Sequence, residues 1–148
     1  MIDAIERYLK VHDWIEIQTH PAASHEHGAD IEAHLGERRL LIEAKGWPAA
    51  TYVGGERKGQ PKAYRPYTQG RAYFSNALLP VLLHWSETNA EIALAFPDQV
   101  TYLALVERAK PALAKLGIGV YFVTFGQNVT VERVLDHAAR SRPGPANA

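Results

Sequence analysis

The succession of apolar patterns predicts an α/β fold, a mixed central sheet flanked by helices. Three observations carry that expectation. Residues 2–12 and 67–83 bear apolar side chains at helical spacing, residues 29–35 and 39–45 read as short strands joined at Gly36 and Glu37, and residues 120–125 (VYFVTF) form an apolar, β-rich run. Such a run suits a central strand covered on both faces.

Taken in order, Ile2, Ile5, Tyr8 and Leu9 define the first helix, with Asp3 and Glu6 early and Lys10 late, as the helix dipole prefers. Trp14, Ile15 and Ile17 suggest a first strand. The polar stretch THPAASHEHG then connects to the strand pair, whose Gly-Glu turn predicts an antiparallel hairpin. Residues 46–68 carry glycines at 46, 54, 55 and 59 and prolines at 48, 61 and 66, so a long loop is expected there. Loops of that length in a compact domain are usually functional or disordered.

In the second helix Ala72, Tyr73, Ala77, Leu78 and Val81 are expected inward, with Pro80 ending or kinking it and Trp85 and Ser86 beyond its end. EIALAF at 91–96 reads as a strand. Tyr102, Leu105, Val106, Ala109 and Leu113 carry a third helix, interrupted by Pro111 and stopped by Gly117 and Gly119. After the run at 120–125, residues 129–134 add an expected edge strand. A single domain is thus expected over residues 1–136, with the patternless tail 137–148 disordered.

Composition narrows the classes. At 148 residues and 47% hydrophobic the chain can bury one real core but not two comfortable ones. Basic and acidic residues balance at 16 each, so net charge argues for no polyanionic partner. The distribution says more, because no acidic residue lies between Arg57 and Ser86 while Arg57, Lys58, Lys62, Arg65 and Arg71 do. The absence of cysteine excludes a disulfide framework and a thiolate metal cluster, and it suits a reducing cytoplasm, the expected location. No signal-peptide core or membrane-length apolar run is present in the sequence, so no membrane partner is expected.

The chemistry concentrates in residues 28–46, GADIEAHLGERRLLIEAKG. The apolar run at Leu40, Leu41 and Ile42 ends in Glu43, Ala44 and Lys45, and ionised groups seldom interrupt such strands without a task. With a period of two, Glu43 and Lys45 project to one face while Ile42 and Ala44 project to the other. Asp30 precedes the hairpin turn, and Glu32 shares its strand face, where it reads as solvent-facing in preference to a supplementary ligand.

An aspartate before a hairpin turn, an apolar run and then Glu-Ala-Lys resembles the motif of the PD-(D/E)XK nuclease superfamily, the restriction-endonuclease-like fold with an αβββαβ core. The resemblance covers most of the chain by element order, although its motif spans only a few residues. The proline that precedes the family's first acid is absent here. What the resemblance implies is hydrolysis of DNA phosphodiesters with Mg²⁺, or Mn²⁺ as a substitute, held by Asp30, Glu43 and the Ala44 carbonyl, and with Lys45 beside the attacking water. The residue types suit that chemistry on their own, since Mg²⁺ takes hard oxygen ligands and polarises a phosphoryl oxygen.

Further residues follow from the same resemblance. Glu6 matches a first-helix glutamate of the Holliday-junction-resolvase-like branch, and reads equally as an exposed first-turn residue. Gln69 and Tyr73 match the Gln-x-x-x-Tyr motif of the RecB-like branch, with Tyr73 equally suited to the core. His20, His25 and His27 fit no zinc motif, and His27, closest to Asp30 in sequence, is the candidate helper. Arg57, Lys58, Lys62, Arg65 and Arg71 would line the path of DNA, with Tyr52, Tyr64 and Tyr67 available to stack on bases, or else simply solvate a long loop. A homodimer or a partner protein is compatible with nucleases that cut both strands. The rival expectation is a catalytically silent nucleic-acid-binding or regulatory subunit on the same fold.

Overall fold

Among the described residues, three helices and six strands follow in the order α1 (Ile2–Val11), β1 (Ile15–Thr19), β2 (Ile31–Leu35), β3 (Arg38–Ala44), α2 (Pro66–Glu87), β4 (Glu91–Pro97), α3 (Val100–Leu116), β5 (Ile118–Thr124) and β6 (Thr130–Arg133). The computed structural model describes residues 1–20, 28–62, 66–124 and 130–133. The strands form one open mixed sheet in sequential order, antiparallel from β1 to β3, parallel from β3 to β5, and antiparallel again at β6. The fold is α/β, as expected.

Strand alternation decides the layers. Leu40 and Ile42 of β3, with Ala93, Ala95, Tyr121 and Val123, meet Ala4, Ile5 and Leu9 of α1 on one face. Leu41, Ile92, Leu94, Phe96, Val120 and Phe122 point the other way, onto Phe74, Ala77 and Val81 of α2 and Tyr102, Val106 and Leu113 of α3. The two parallel connections require crossovers, and α2 and α3 supply them on that second face. Each fully buried Leu, Ile or Phe contributes about 1.5–3 kcal/mol of transfer free energy. That two-sided burial explains why β4 and β5 read as nearly unbroken apolar runs.

The hairpin turn follows its residues. Leu35 pairs with Arg38 across Gly36 and Glu37, and Gly36 takes φ 58°, the left-handed value that a Gly-X two-residue turn demands at its first position. Register then sets Ile31 opposite Ile42 and Glu32 opposite Leu41. The Asp30 end of β2 therefore lies beside the Glu43 end of β3.

Two expectations about α2 are corrected. Helix α2 does not end near Pro80 but continues to Glu87, so Trp85 and Ser86 lie inside it. Pro80 forfeits one intrahelical hydrogen bond, yet Ala77 and Val81 on either side are fully buried, and the Trp85 indole N–H donates to the Leu116 carbonyl at 2.7 Å. Of the residues expected inward on α2, Tyr73, Ala77, Leu78 and Val81 face the core, whereas Ala72 is exposed and Phe74 is buried. Residues 46–62 form the loop expected, with no helix or named strand, and one isolated bridge gives it local pairing. Thr51 bridges Pro61, and Tyr52 N–H donates to Gln60 O, Gly59 N–H to Tyr52 O, and Lys62 N–H to Ala50 O, which makes a small hairpin.

Helix α3 passes through Pro111 and stops at Gly117, whose φ of 64° closes it in the left-handed conformation. Among the described residues no helix is long and apolar enough to cross a membrane. Phe125, residues 129 and 134, and the expected tail 137–148 lie outside the described residues.

Candidate active site

Antiparallel register brings the first carboxylate to the second. Asp30 Oδ2 accepts the main-chain N–H of Ala44 at 2.7 Å, so the aspartate side chain takes the place of a ladder partner just where β3 ends. Lys45 Nζ lies 3.9 Å from that same oxygen and donates to Glu43 Oε1 at 2.5 Å. Glu43 in β3 and Lys45 just past its end thus share a face, as a period of two requires, and Asp30 joins them from just before β2.

Exposure grades across the three groups. Glu43 is buried, its side chain 7% exposed, against 17% for Asp30 and 29% for Lys45. Burial pushes the Glu43 carboxyl above its ordinary value; the Lys45 hydrogen bond pulls it back, and the nearby Asp30 charge raises it again. The upward causes win although an ammonium touches the carboxylate. By count, two carboxylates, Asp30 and Glu43, here share one lysine.

The end of β3 is pinned from three directions. Besides the Asp30 contact, Lys45 N–H donates to the Ala95 carbonyl of β4 at 3.0 Å, and the Tyr102 hydroxyl of α3 donates to the Gly46 carbonyl at 3.0 Å. Tyr102 is fully buried and stacks on Phe96 at 4.6 Å, while Trp47 meets it edge-on at 5.5 Å. Burial, with Tyr73 nearby, pushes the Tyr102 hydroxyl up to about 12, so it stays a donor through neutral pH. Sequence reasoning placed Tyr102 in the core of α3 but carried no signal for its bond to a residue 56 positions earlier.

Helix α2 enters beside this end. A Cβ at Gly70 would lie 2.7 Å from Thr101 Cγ2, which makes glycine necessary for the close approach of α2 to α3. The neighbouring Gln69 is half-buried, and among the described residues its Oε1 is the buried side-chain oxygen with no hydrogen-bond partner. An unpaired buried acceptor costs about 1–3 kcal/mol, and a water or a ligand donor is what satisfies one. Tyr73 packs on the core under α2 and adjoins Tyr102.

The other expected residues make contacts of their own. Glu6 pairs with Lys10 at 2.6 Å on α1, whose buried side chains pack on the sheet face opposite that of Glu43. Glu32 is not the solvent-facing group expected, because Arg39 grips both its oxygens, at 2.6 and 2.9 Å. Arg57, Lys58 and Arg71 are exposed, and Lys62 is half-buried. Arg57 and Lys62 lie over the Tyr52 ring at 5.7 and 5.8 Å, and Arg71 over Tyr67 at 5.9 Å, so these rings already hold cations. Arg65, Tyr64, His25 and His27 lie outside the described residues.

Among the described residues no three of His, Asp and Glu gather as a metal-binding group, so an ion here would rest on two carboxylates with main-chain, water or substrate oxygens. A cavity of about 370 Å³ opens on the same side of the hairpin, lined by Ala29, Glu32, Arg39, Leu41 and His84 among others, and none of the three charged site residues lines it. In comparisons with known proteins, the chain matches no family model, no curated protein and no solved structure.

Proposed function

We propose that the chain is a metal-dependent nuclease that hydrolyses the phosphodiester bonds of DNA, with its centre at Asp30, Glu43 and Lys45. The observation that carries this reading is their convergence at the end of β3, where a buried glutamate and an aspartate share one lysine. The order α1, β1, β2, β3, α2, β4 supports it, being the αβββαβ order that the PD-(D/E)XK resemblance implies.

The donor set fits a hard divalent cation. Glu43 and Asp30 offer carboxylate oxygens, and the two share a single lysine, which leaves room for a further positive charge. Asp30, Glu43 and the Ala44 carbonyl would hold Mg²⁺, or Mn²⁺ in its place. When bound, the ion supplies Lewis acidity at the phosphoryl oxygen and lowers the pKa of a coordinated water.

The chain's own groups do the rest. The Lys45 ammonium, the most exposed of the three, can hydrogen-bond an incoming water or offset charge developing on the phosphate. Gln69 offers its unpaired oxygen from α2. Arg57 and Lys58 on the exposed hairpin, and Arg71 on α2, hold the polyanion.

Incubation with labelled single-stranded, duplex and branched DNA in Mg²⁺ or Mn²⁺ tests the reading. Cleavage is expected with either ion and not in chelator, and Glu43→Ala or Lys45→Ala should abolish it. Cleavage that persists unchanged in both variants overturns the assignment, while DNA binding without cleavage or metal uptake points to the silent subunit instead.

A further inference from the structure

The segment Ala44-Lys45-Gly46 is the most heavily constrained stretch of main chain in the site, and one constraint comes from far away in the chain. The Ala44 amide is held by Asp30 and the Lys45 amide by Ala95, but both contacts belong to the sheet and its edge. Gly46 lies beyond the last residue of β3 and has no side chain to pack, so nothing intrinsic to it fixes where the chain goes next. Its carbonyl is caught by the hydroxyl of Tyr102, in the first turn of α3.

We infer that Tyr102 is a positioning residue, whose hydroxyl, by holding the Gly46 carbonyl, sets the Ala44 and Lys45 backbone at the reacting centre. The role rests on the nuclease reading.

The geometry that supports it is a stiff support rather than a lone contact. Tyr102 has no exposed surface, and its ring continues a column of aromatics, with Phe74 on Phe96 at 5.4 Å, Phe96 on Tyr102 at 4.6 Å, and Trp47 edge-on to Tyr102 at 5.5 Å. Trp47 is the residue after Gly46, so the hydroxyl and the ring grip consecutive residues. At the same height Gly70 admits Thr101, the residue before Tyr102, which locks α3 against α2. A hydroxyl mounted on such a column cannot follow a drifting loop; the loop must stay with it. Lys45, with four rotatable bonds, needs a fixed main chain if its ammonium is to meet the same point each time, and misplacement of about 1 Å can cost roughly 10²-fold in rate.

Tyr102→Phe removes the hydroxyl and keeps the ring column. Three readouts are taken on full-length protein, with Val106→Ala as the control for loss of core packing in the same helix. Native-state hydrogen exchange, read without metal or DNA, should speed by roughly five- to tenfold at the Ala44 and Lys45 amides in Tyr102→Phe, the scale of one lost hydrogen bond, while Ile42 is unchanged. Mn²⁺ affinity by calorimetry should fall by a similar factor. In cleavage assays kcat should fall roughly tenfold with KM for DNA unchanged, and Val106→Ala should lower Tm without changing either the local exchange or the kcat-to-KM split.

Unchanged exchange at Ala44 and Lys45 in Tyr102→Phe, or faster exchange with kcat intact, overturns the positioning role and leaves the nuclease reading standing. A wild-type protein that neither cleaves nor takes up Mn²⁺ removes the nuclease reading, and the catalytic meaning of Tyr102 with it. The exchange data still report whether the hydroxyl holds the strand end.

Discussion

Two glutamates on one hairpin, facing the same side of the sheet, have opposite fates. Glu32 receives both nitrogens of the Arg39 fork and lies 3.2 Å from His34, and the Arg39 hydrogen bond holds its carboxyl below the ordinary value against the effect of burial. Glu43 sits deeper, receives one lysine, and is shifted upward. The first is a finished ion pair that ties β2 to β3. The second is a carboxylate that burial holds above its ordinary value despite its lysine, and a group shifted in that way is a candidate for function.

The largest expected difference is catalytic. Glu43→Gln should lower cleavage by roughly 10²–10³-fold, the scale of losing one preorganised electrostatic contact at a reacting centre. Glu32→Gln should leave the rate within about twofold. Equal loss in the two variants, read under single-turnover conditions, would erase the distinction between them.

Stability of the metal-free protein should move the other way. Glu43 keeps its proton longer folded than unfolded, so its own contribution to stability declines as pH rises above the ordinary carboxylate value of 4.5. Glu43→Gln should therefore raise Tm at pH 7 by about 2–4 °C, and the gain should vanish below that value, with Lys45 left partly solvated near Asp30. Glu32 has the opposite sign, because its stabilisation is present above 4.5 and is lost as pH falls through its lowered folded value. Glu32→Gln should lower the neutral Tm by about 2 °C. Thermal scans from pH 3.5 to 8 check both slopes, and a fall in Tm at pH 7 for Glu43→Gln would contradict the account.

The hairpin was legible because its physics is local. A period of two puts Glu43 and Lys45 on one face, and a Gly-Glu turn sets the register that brings Asp30 alongside. Helix α2 was legible in most of its inward residues but not all, because Leu79, Leu82 and Leu83 are apolar and yet exposed, and Ala72 was read inward where Phe74 is the buried residue. Pro80 was weighed as a stop when burial on both sides of it carries the helix through. The Arg39–Glu32 fork and the Tyr102–Gly46 bond depend on register and on tertiary approach, for which a single sequence offers no period to read.

The smallest expected effect belongs to the basic hairpin. Each phosphate contact contributes about −0.9 to the salt slope of duplex binding, so Arg57→Ala with Lys58→Ala should flatten it by about 1.8. Cleavage of bound substrate should change little. A slope that does not move would show that this hairpin faces something other than the duplex backbone.

Calorimetric titration of Mn²⁺ into metal-free protein at pH 7, comparing wild type with Glu43→Gln and Glu32→Gln, asks most directly whether the buried carboxylate is there for a cation. The account predicts uptake by wild type and Glu32→Gln and none by Glu43→Gln. Uptake that survives unchanged in Glu43→Gln, or is absent from the wild type, would contradict it.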